Sequence, residues 1–242
     1  MFRFKNFSLS HHRSTLKIGT DSVLLSALVP IGHKTNILDI GTGCGIIAFC
    51  LADKHRKLTI PPTQILGIDI DKDSIKEADE NNSTFPPIQN LSVNFRKESV
   101  QDLAQNGDQT FDLIVSNPPY FSASLKPATA SLEKSKHRDD NLSFQDLINS
   151  IIQLLDNNGE FYLILPVAEF AEFEKLTRNR LFLKYYCQIH PKKNKPVNRI
   201  VAGFQKIFVG NFTETTLAIR DETGNYTKEY RQLTEEFYWN LK

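Results

Sequence analysis

Asn117-Pro118-Pro119-Tyr120 is the tetrapeptide whose residue types and spacing point most directly to chemistry. Two consecutive prolines fix the backbone dihedrals and remove two N–H donors, so the Pro118 carbonyl is held outward beside the Asn117 amide oxygen at low entropic cost. Two acceptors then face one point with no competing donor. A planar amino group suits that point, such as adenine N6 or a glutamine amide, whose nitrogen lone pair is delocalised and a poor nucleophile. Hydrogen bonds to both of its protons pull the nitrogen toward tetrahedral geometry and expose the lone pair to an electrophilic methyl group. Tyr120, or Phe121 beside it, offers a ring for stacking, worth about 1–3 kcal/mol per base. No general base is required, because the product ammonium loses its proton to water; catalysis is mainly proximity and electrostatic orientation. The catalytic candidates are Asn117, Pro118, Pro119 and Tyr120. The plainer use of Asn-Pro is a turn that ends a strand.

A glycine-rich stretch, Asp39-Ile40-Gly41-Thr42-Gly43-Cys44-Gly45, follows an apolar β-type run and opens a helical one. Glycines there let the backbone turn tightly and approach a ligand, and the helix N-terminus behind them supplies free N–H groups. The third glycine comes one residue too early for the dinucleotide fingerprint, and an acid stands two residues before the first glycine; both features point away from NAD. The next apolar run ends in Gly67-Ile68-Asp69-Ile70-Asp71. An acid at a strand tip accepts both ribose hydroxyls of a nucleoside, the role read for Asp69, whereas Asp71 reads as the N-cap of the next helix.

The glycine loop resembles motif I of the class I S-adenosylmethionine-dependent methyltransferases, where it wraps the amino-acid half of the cofactor. ILDIGTGCG, GIDID and FDLIVSNPPYF, in that order, resemble the N6-adenine branch of that class across most of residues 36–165. The opening MFRFKNFSLSHHRSTLKIGTDSVLLSAL, and NPPYFSASLKP with Lys136-His137-Arg138 beyond it, are similar to the bacterial tRNA1(Val) (adenine(37)-N6)-methyltransferases, which act on the adenine adjacent to the anticodon. The resemblance implies S-adenosylmethionine as cofactor, held by Asp21, Asp39, Gly41, Thr42, Gly43, Gly45, Asp69, Ile70, Ser99, Val100 and Asn117. It puts Lys17, Thr20 and Asp21 near the cofactor's methionine end or the target base; an N-cap role explains Asp21 equally well. Where the class commonly sets an Asp against the adenine amino group this chain has Ser99, so Ser99, Glu98 or the backbone around Val100 takes that contact.

The partner so implied is tRNA at its anticodon stem-loop, where extruding a largely unpaired adenine costs at most a few kcal/mol. A protein N5-glutamine methyltransferase shares the NPPY turn but usually carries a separate N-terminal helical domain. An adenine methyltransferase of ribosomal RNA is a second rival; enzymes acting on DNA usually add a sequence-reading domain. An RNA-binding module that has lost its chemistry is opposed by the intact Asn117 and Tyr120.

These motifs need a scaffold. Ile37–Ile40, Gln64–Ile68, Leu91–Phe95, Phe111–Ser116 and Phe161–Leu165 read as strands, with helices over Ile46–Lys54, Asp73–Ser83, Ser143–Leu155 (Ser143 as N-cap) and Ala168–Thr177. Gly159 ends the Ser143 unit, and Leu181–Ile189 with Ile200–Val209 forms a closing strand pair. The alternation predicts an α/β, Rossmann-like fold with a mostly parallel seven-stranded sheet flanked by helices, its last strand antiparallel. Asp21–Leu28 reads as a helix, and Leu233–Leu241 as a short amphipathic one carrying the lone Trp239. One domain over 1–242 is expected, residues 1–35 forming an N-terminal extension.

The 242 residues are 40% hydrophobic and 24% charged, in the globular range, and net +1. That balance hides two basic segments. Residues 175–213 contain no acid and nine cations, among them Lys192, Lys193, Lys195 and Arg199; Arg3, Lys5, Arg13 and Lys17 interleave with Phe2, Phe4 and Phe7 before the first acid, Asp21. Brought together, the two ends would form one positive surface beside aromatic rings, suited to phosphates and unpaired bases; alternatively each is a solvated face. Arg3, Lys5, Lys192, Lys193, Lys195 and Arg199 are the RNA-binding candidates. Three cysteines without ligand spacing predict neither a disulfide scaffold nor a metal site. No signal or membrane-spanning segment is visible, so a cytoplasmic protein without an obligate protein partner is expected.

Overall fold

A computed structural model describes residues 1–14, 17–58, 61–107, 109–118, 142–208 and 210–239. A short antiparallel ribbon, β1 (Phe2–Arg3) with β2 (Ser8–Leu9), precedes the main sheet. The sheet comprises β3 (Asn36–Ile40), β4 (Thr63–Asp69), β5 (Leu91–Lys97), β6 (Phe111–Ser116), β7 (Leu155–Pro166), β8 (Phe182–Lys192), β9 (Arg199–Gln205) and β10 (Thr213–Arg220). Its spatial order is β10-β8-β9-β7-β6-β3-β4-β5, and only β9 runs antiparallel to its neighbours. The sheet therefore has eight strands where seven were expected, and the antiparallel strand is the penultimate one. The additional edge strand, β10, runs parallel to β8. Its exposed, polar opening Thr213-Glu214-Thr215-Thr216 hides it from any search for apolar runs.

The helices are α1 (Thr20–Leu28), α2 (Ile46–His55), α3 (Lys72–Thr84), α4 (Val100–Asn106), α5 (Phe144–Leu154), α6 (Val167–Thr177) and α7 (Lys228–Thr234). The ribbon, α1, α2 and α7 cover one face of the sheet, α4, α5 and α6 the other, and each face has its own apolar core. Local chemistry starts several of them. Asp71 caps α3, Ser143 caps α5 by accepting from the Asp146 N–H at 3.1 Å, and Thr227 caps α7. That last cap sets the final helix upstream of the expected Leu233–Leu241; the chain then turns and buries Phe237, leaving Trp239 exposed. At the C-terminus of α1 the Lys54 ammonium donates to the carbonyls of Ser26 (2.9 Å), Ala27 (3.2 Å) and Val29 (2.6 Å), satisfying acceptors that a helix end leaves unpaired. Burial pulls the Lys54 pKa down to about 8.

Gly159 lies inside β7 and terminates nothing. A Cβ there would stand 2.9 Å from the Phe111 carbonyl, so glycine is what lets β6 and β7 meet at their register shift. Ile40 pairs with Ile68 on one side and Ser116 on the other, and Asp69 pairs with Lys97, so β3, β4, β5 and β6 end level along one edge. Strand order reverses between β3 and β6, where open α/β sheets form their ligand crevice.

Candidate active site

The loop leaving β3 turns on positive φ at Gly41 (71°), Gly43 (55°) and Gly45 (88°). A Cβ on Gly41 would meet nothing within 4 Å, so this backbone borders open space; one on Gly45 would collide with the rings of Phe49 and Phe95. Gly41 and Thr42 donate their N–H groups to the Ile68 carbonyl at 2.9 and 3.0 Å, holding the loop against the end of β4. Asp39 is fully buried beneath it. Its Oδ2 accepts from Thr42 Oγ1 (2.6 Å) and the Ala48 N–H (3.2 Å), while its Oδ1 has no partner among the described residues. Burial pushes its pKa up to about 7, against the pull of those two bonds. An unsatisfied buried acceptor beside an open glycine turn fits a ligand carrying a cationic or N–H donor.

Asp69 closes the opposite wall. Its Oδ2 accepts from the Gly43 N–H and its Oδ1 from the Asp71 N–H, both at 2.9 Å, and burial raises its pKa. Each oxygen keeps a further lone pair for a ligand hydroxyl. Ile70 next to it is 52% exposed, an apolar side chain open at the sheet edge. Ser99 caps α4, accepting from the Asp102 N–H (3.0 Å) and donating to Asp102 Oδ2 (2.7 Å), so its hydroxyl is engaged locally; Val100 is buried.

Asn117 leaves β6 one residue past the Ile40–Ser116 pair, directly beside the glycine loop. Its Nδ2 donates to Ser22 Oγ of α1 at 3.0 Å, which leaves Oδ1 as the end available to accept. Pro118 is buried; Pro119 and Tyr120, like Phe121 and Lys136-His137-Arg138, fall outside the described residues. Asp21 does not cap α1, whose N-cap is Gly19; it stands in the first turn and accepts from Arg199 Nε at 2.8 Å. The structure thus ties Arg199, expected among the phosphate-gripping cations, to a carboxylate at the crevice.

The two basic segments have different surroundings. Lys192 ends β8, and Lys193 and Lys195 stand exposed in the turn to β9, at the same sheet edge as Asn117. The N-terminal segment is instead anchored inward. Phe4 and Phe7 are buried, so these rings are core and not the base-stacking surface the sequence allowed. Arg3 is exposed, whereas Lys5 donates to the Glu235 carbonyl, Arg13 pairs with Glu80 at 2.6 Å, and Lys17 donates to the carbonyls of His11, His12 and Ser14. Glu77 of α3 accepts the N–H groups of His12 (2.6 Å), Arg13 (3.1 Å) and Ser14 (2.8 Å), and Asn81 exchanges two bonds with Ser10 while donating to Cys44 in the glycine loop. Ser14 Oγ then lies 3.1 Å from where a Gly43 Cβ would be. Glu77, Asn81 and Ser22 went unnoticed in the sequence. Only the i, i+4 spacing of the first two hints at a shared helix face.

Residues 31–232 match the model of a methyltransferase domain family. The chain is 34% identical over 241 residues to the tRNA1(Val) (adenine(37)-N6)-methyltransferase of Pseudoalteromonas translucida (strain TAC 125), covering 99% of both chains. It is 35% identical over 243 residues to the enzyme of that name from Actinobacillus pleuropneumoniae serotype 5b (strain L20), covering 99% of this chain and 98% of that one. The chain belongs to the tRNA1(Val) (adenine(37)-N6)-methyltransferase family. Membership extends from the N-terminal ribbon through α7, so both basic segments lie within the family's shared length. The fold is that of the crystal structure of a predicted O-methyltransferase from Agrobacterium tumefaciens (TM-score 0.66, 16% identity, 92% of this chain and 99% of that one). A ribosomal protein L11 methylase from Lactobacillus delbrueckii subsp. bulgaricus shares it (TM-score 0.51, 18% identity, 84% and 83%). Among the described residues no cluster of three His, Cys, Asp or Glu could hold a metal, and no helix is long and apolar enough to cross a membrane.

Proposed function

We propose that this protein, acting as one domain, transfers the methyl group of S-adenosylmethionine to N6 of an adenine in tRNA. By the name its relatives carry, that base is adenine 37 of tRNA1(Val). The observation that carries the reading is the adjacency of glycine loop and Asn117, one residue beyond the paired Ile40 and Ser116 at the switch of strand order. Gly41, Thr42, Gly43 and Gly45 would wrap the amino-acid half of the cofactor, with the open Asp39 Oδ1 as its nearby acceptor; Asp69 would take the ribose hydroxyls and Ile70 the adenine face. When bound, S-adenosylmethionine supplies a methyl group on a cationic sulfur. Asn117 Oδ1 and the Pro118 carbonyl would accept hydrogen bonds from the two N6–H groups and free the nitrogen lone pair. The N–CH3 bond forms as the S–CH3 bond breaks, and the extra proton leaves to water. By the family resemblance Pro119 would fix that carbonyl and Tyr120 would stack on the base. Lys192, Lys193 and Lys195, at the same edge, would neutralise phosphates of the anticodon stem-loop.

The test is transfer of labelled methyl from S-adenosylmethionine to total tRNA, to ribosomal RNA and to protein, with nucleoside mass spectrometry and an Asn117→Ala control. Label recovered as N6-methyladenosine in tRNA, and lost in the variant, is the expected result. Label on ribosomal RNA or on protein glutamine would overturn the substrate.

A further inference from the structure

A carboxamide has two ends of similar shape and opposite polarity, and only its oxygen accepts a hydrogen bond from a substrate amino group. At Asn117 one contact anchors the carboxamide. Nδ2 donates to Ser22 Oγ over 3.0 Å, and Ser22 is 6% exposed on α1. The preceding residue, Asp21, accepts from Arg199 Nε at 2.8 Å, and Arg199 opens β9 immediately after the lysine turn. The far end of α1 is fastened by the three Lys54 bonds. Ser22 therefore sits on a helix held at both ends.

We propose that Ser22 is a positioning residue that holds the Asn117 carboxamide against α1 with its other end toward the substrate amino group, and that the Asp21–Arg199 pair holds Ser22 in register with it. The proposal rests on the methyl transfer proposed above. Without the Ser22 hydroxyl the carboxamide loses its anchor and is free to swing away from the Pro118 carbonyl, so productive geometry is lost part of the time. The contacts proposed for the cofactor at Asp39, the glycine loop and Asp69 make no bond to Ser22 and are untouched by its loss. Through Arg199 the same arrangement links the turn carrying Lys193 and Lys195 to the reacting atoms, so seating of the RNA backbone and orientation of the acceptor share one helix.

The experiment is single-turnover transfer to tRNA, with cofactor affinity measured separately, for wild type, Ser22→Ala, Ser22→Thr, Asn117→Ala and the double variant Ser22→Ala/Asn117→Ala. Ser22→Ala is expected to slow transfer by about tenfold with cofactor affinity unchanged, Ser22→Thr to restore most of the rate, and Ser22→Ala to cost nothing more once Asn117 is gone. A Ser22→Ala enzyme at the wild-type rate, or one slowed equally in the Asn117→Ala background, overturns the proposal. Asp21→Ala and Arg199→Ala should each lower kcat by a similar factor, with no further loss when combined and no change in the salt dependence of tRNA binding. A reduced salt slope in Arg199→Ala alone would make Arg199 a phosphate contact and overturn the role of the pair. A wild type that labels no tRNA adenine overturns the proposed function itself, an outcome recognisable because every variant shares it.

Discussion

The N-terminal segment and the turn from β8 to β9 look alike as strings of letters, both basic and both free of acid, yet they do opposite things in the fold. In the first, Phe2, Phe4, Phe7 and Leu9 pack inward, with Phe4 stacked on Phe7 at 4.6 Å and on Tyr238 at 6.0 Å, and Lys5, Arg13 and Lys17 are engaged by Glu80 or by backbone carbonyls. In the second, Pro191 and Pro196 bracket three lysines, of which Lys193 and Lys195 stand exposed and Lys192 half-exposed. Charge becomes a binding surface only where nothing inside the molecule already answers it. The N-terminal segment serves the glycine loop, through Ser14 and Asn81; the turn is left to face an external anion.

The contrast can be broken most severely at Phe4. Phe4→Ala should destabilise the protein by about 3–5 kcal/mol in urea unfolding, with the salt slope of RNA binding unchanged. Glu77→Gln comes next, at about 1.5–3 kcal/mol near neutral pH, because hydrogen bonds from three N–H groups to a charged acceptor become bonds to a neutral one. Burial raises the Glu77 pKa, but the bonds from Ser14, Arg13 and His12 outweigh it and hold the pKa below 4.5. Its contribution is therefore complete above pH 4.5 and lost as pH falls through the lower folded value, and melting curves of Glu77→Gln should lack that acid-side loss. The comparison is sharpened by replacing Lys192, Lys193 and Lys195 together with Ala. RNA affinity should fall by roughly ten- to a hundredfold, about 1.4–2.8 kcal/mol, and the slope of log K against log salt should shrink by about 2–3 while the unfolding midpoint stays put. Arg13→Ala, the matching change in the other segment, should move neither quantity measurably, since its exposed pair with Glu80 occupies the charge at little gain in stability.

What the sequence revealed and what it hid divide along the same line between local and distant causes. Phe111–Ser116 was legible to the residue because a strand buried on both faces is mostly apolar, as Phe111, Leu113, Ile114 and Val115 are. Asp71 and Ser143 were legible as caps because a cap is settled within three residues. The polar strand β10 was not, since its pairing with β8 depends on a partner some thirty residues away and its own exposed side chains carry no signal. The seven-residue helix α4 was too short for periodicity to show, although Ser99, weighed as a cofactor contact, was its cap. At the site, the order of glycine loop, Asp69 and Asn117 could be read along the chain. The Ser22–Asn117 bond spans 95 residues and the Arg199–Asp21 pair 178, and no spacing rule reaches that far.

The anchoring of the N-terminal segment also has a consequence in time. Lys5 finds its partner at Glu235, 230 residues further along, while Phe2 and Phe4 pack on Tyr238. A ribosome adding about 5–20 residues per second delivers that partner on the order of ten to fifty seconds after Lys5 is made. For that interval Phe2 and Phe4 lack their Tyr238 contacts, although Phe7 already has Phe49 and Phe85 to pack on. The segment is thus fastened in two stages: its hold on the glycine loop, through Glu77 and Asn81, needs only α3, whereas its first residues wait until the chain beyond α7 has been synthesised.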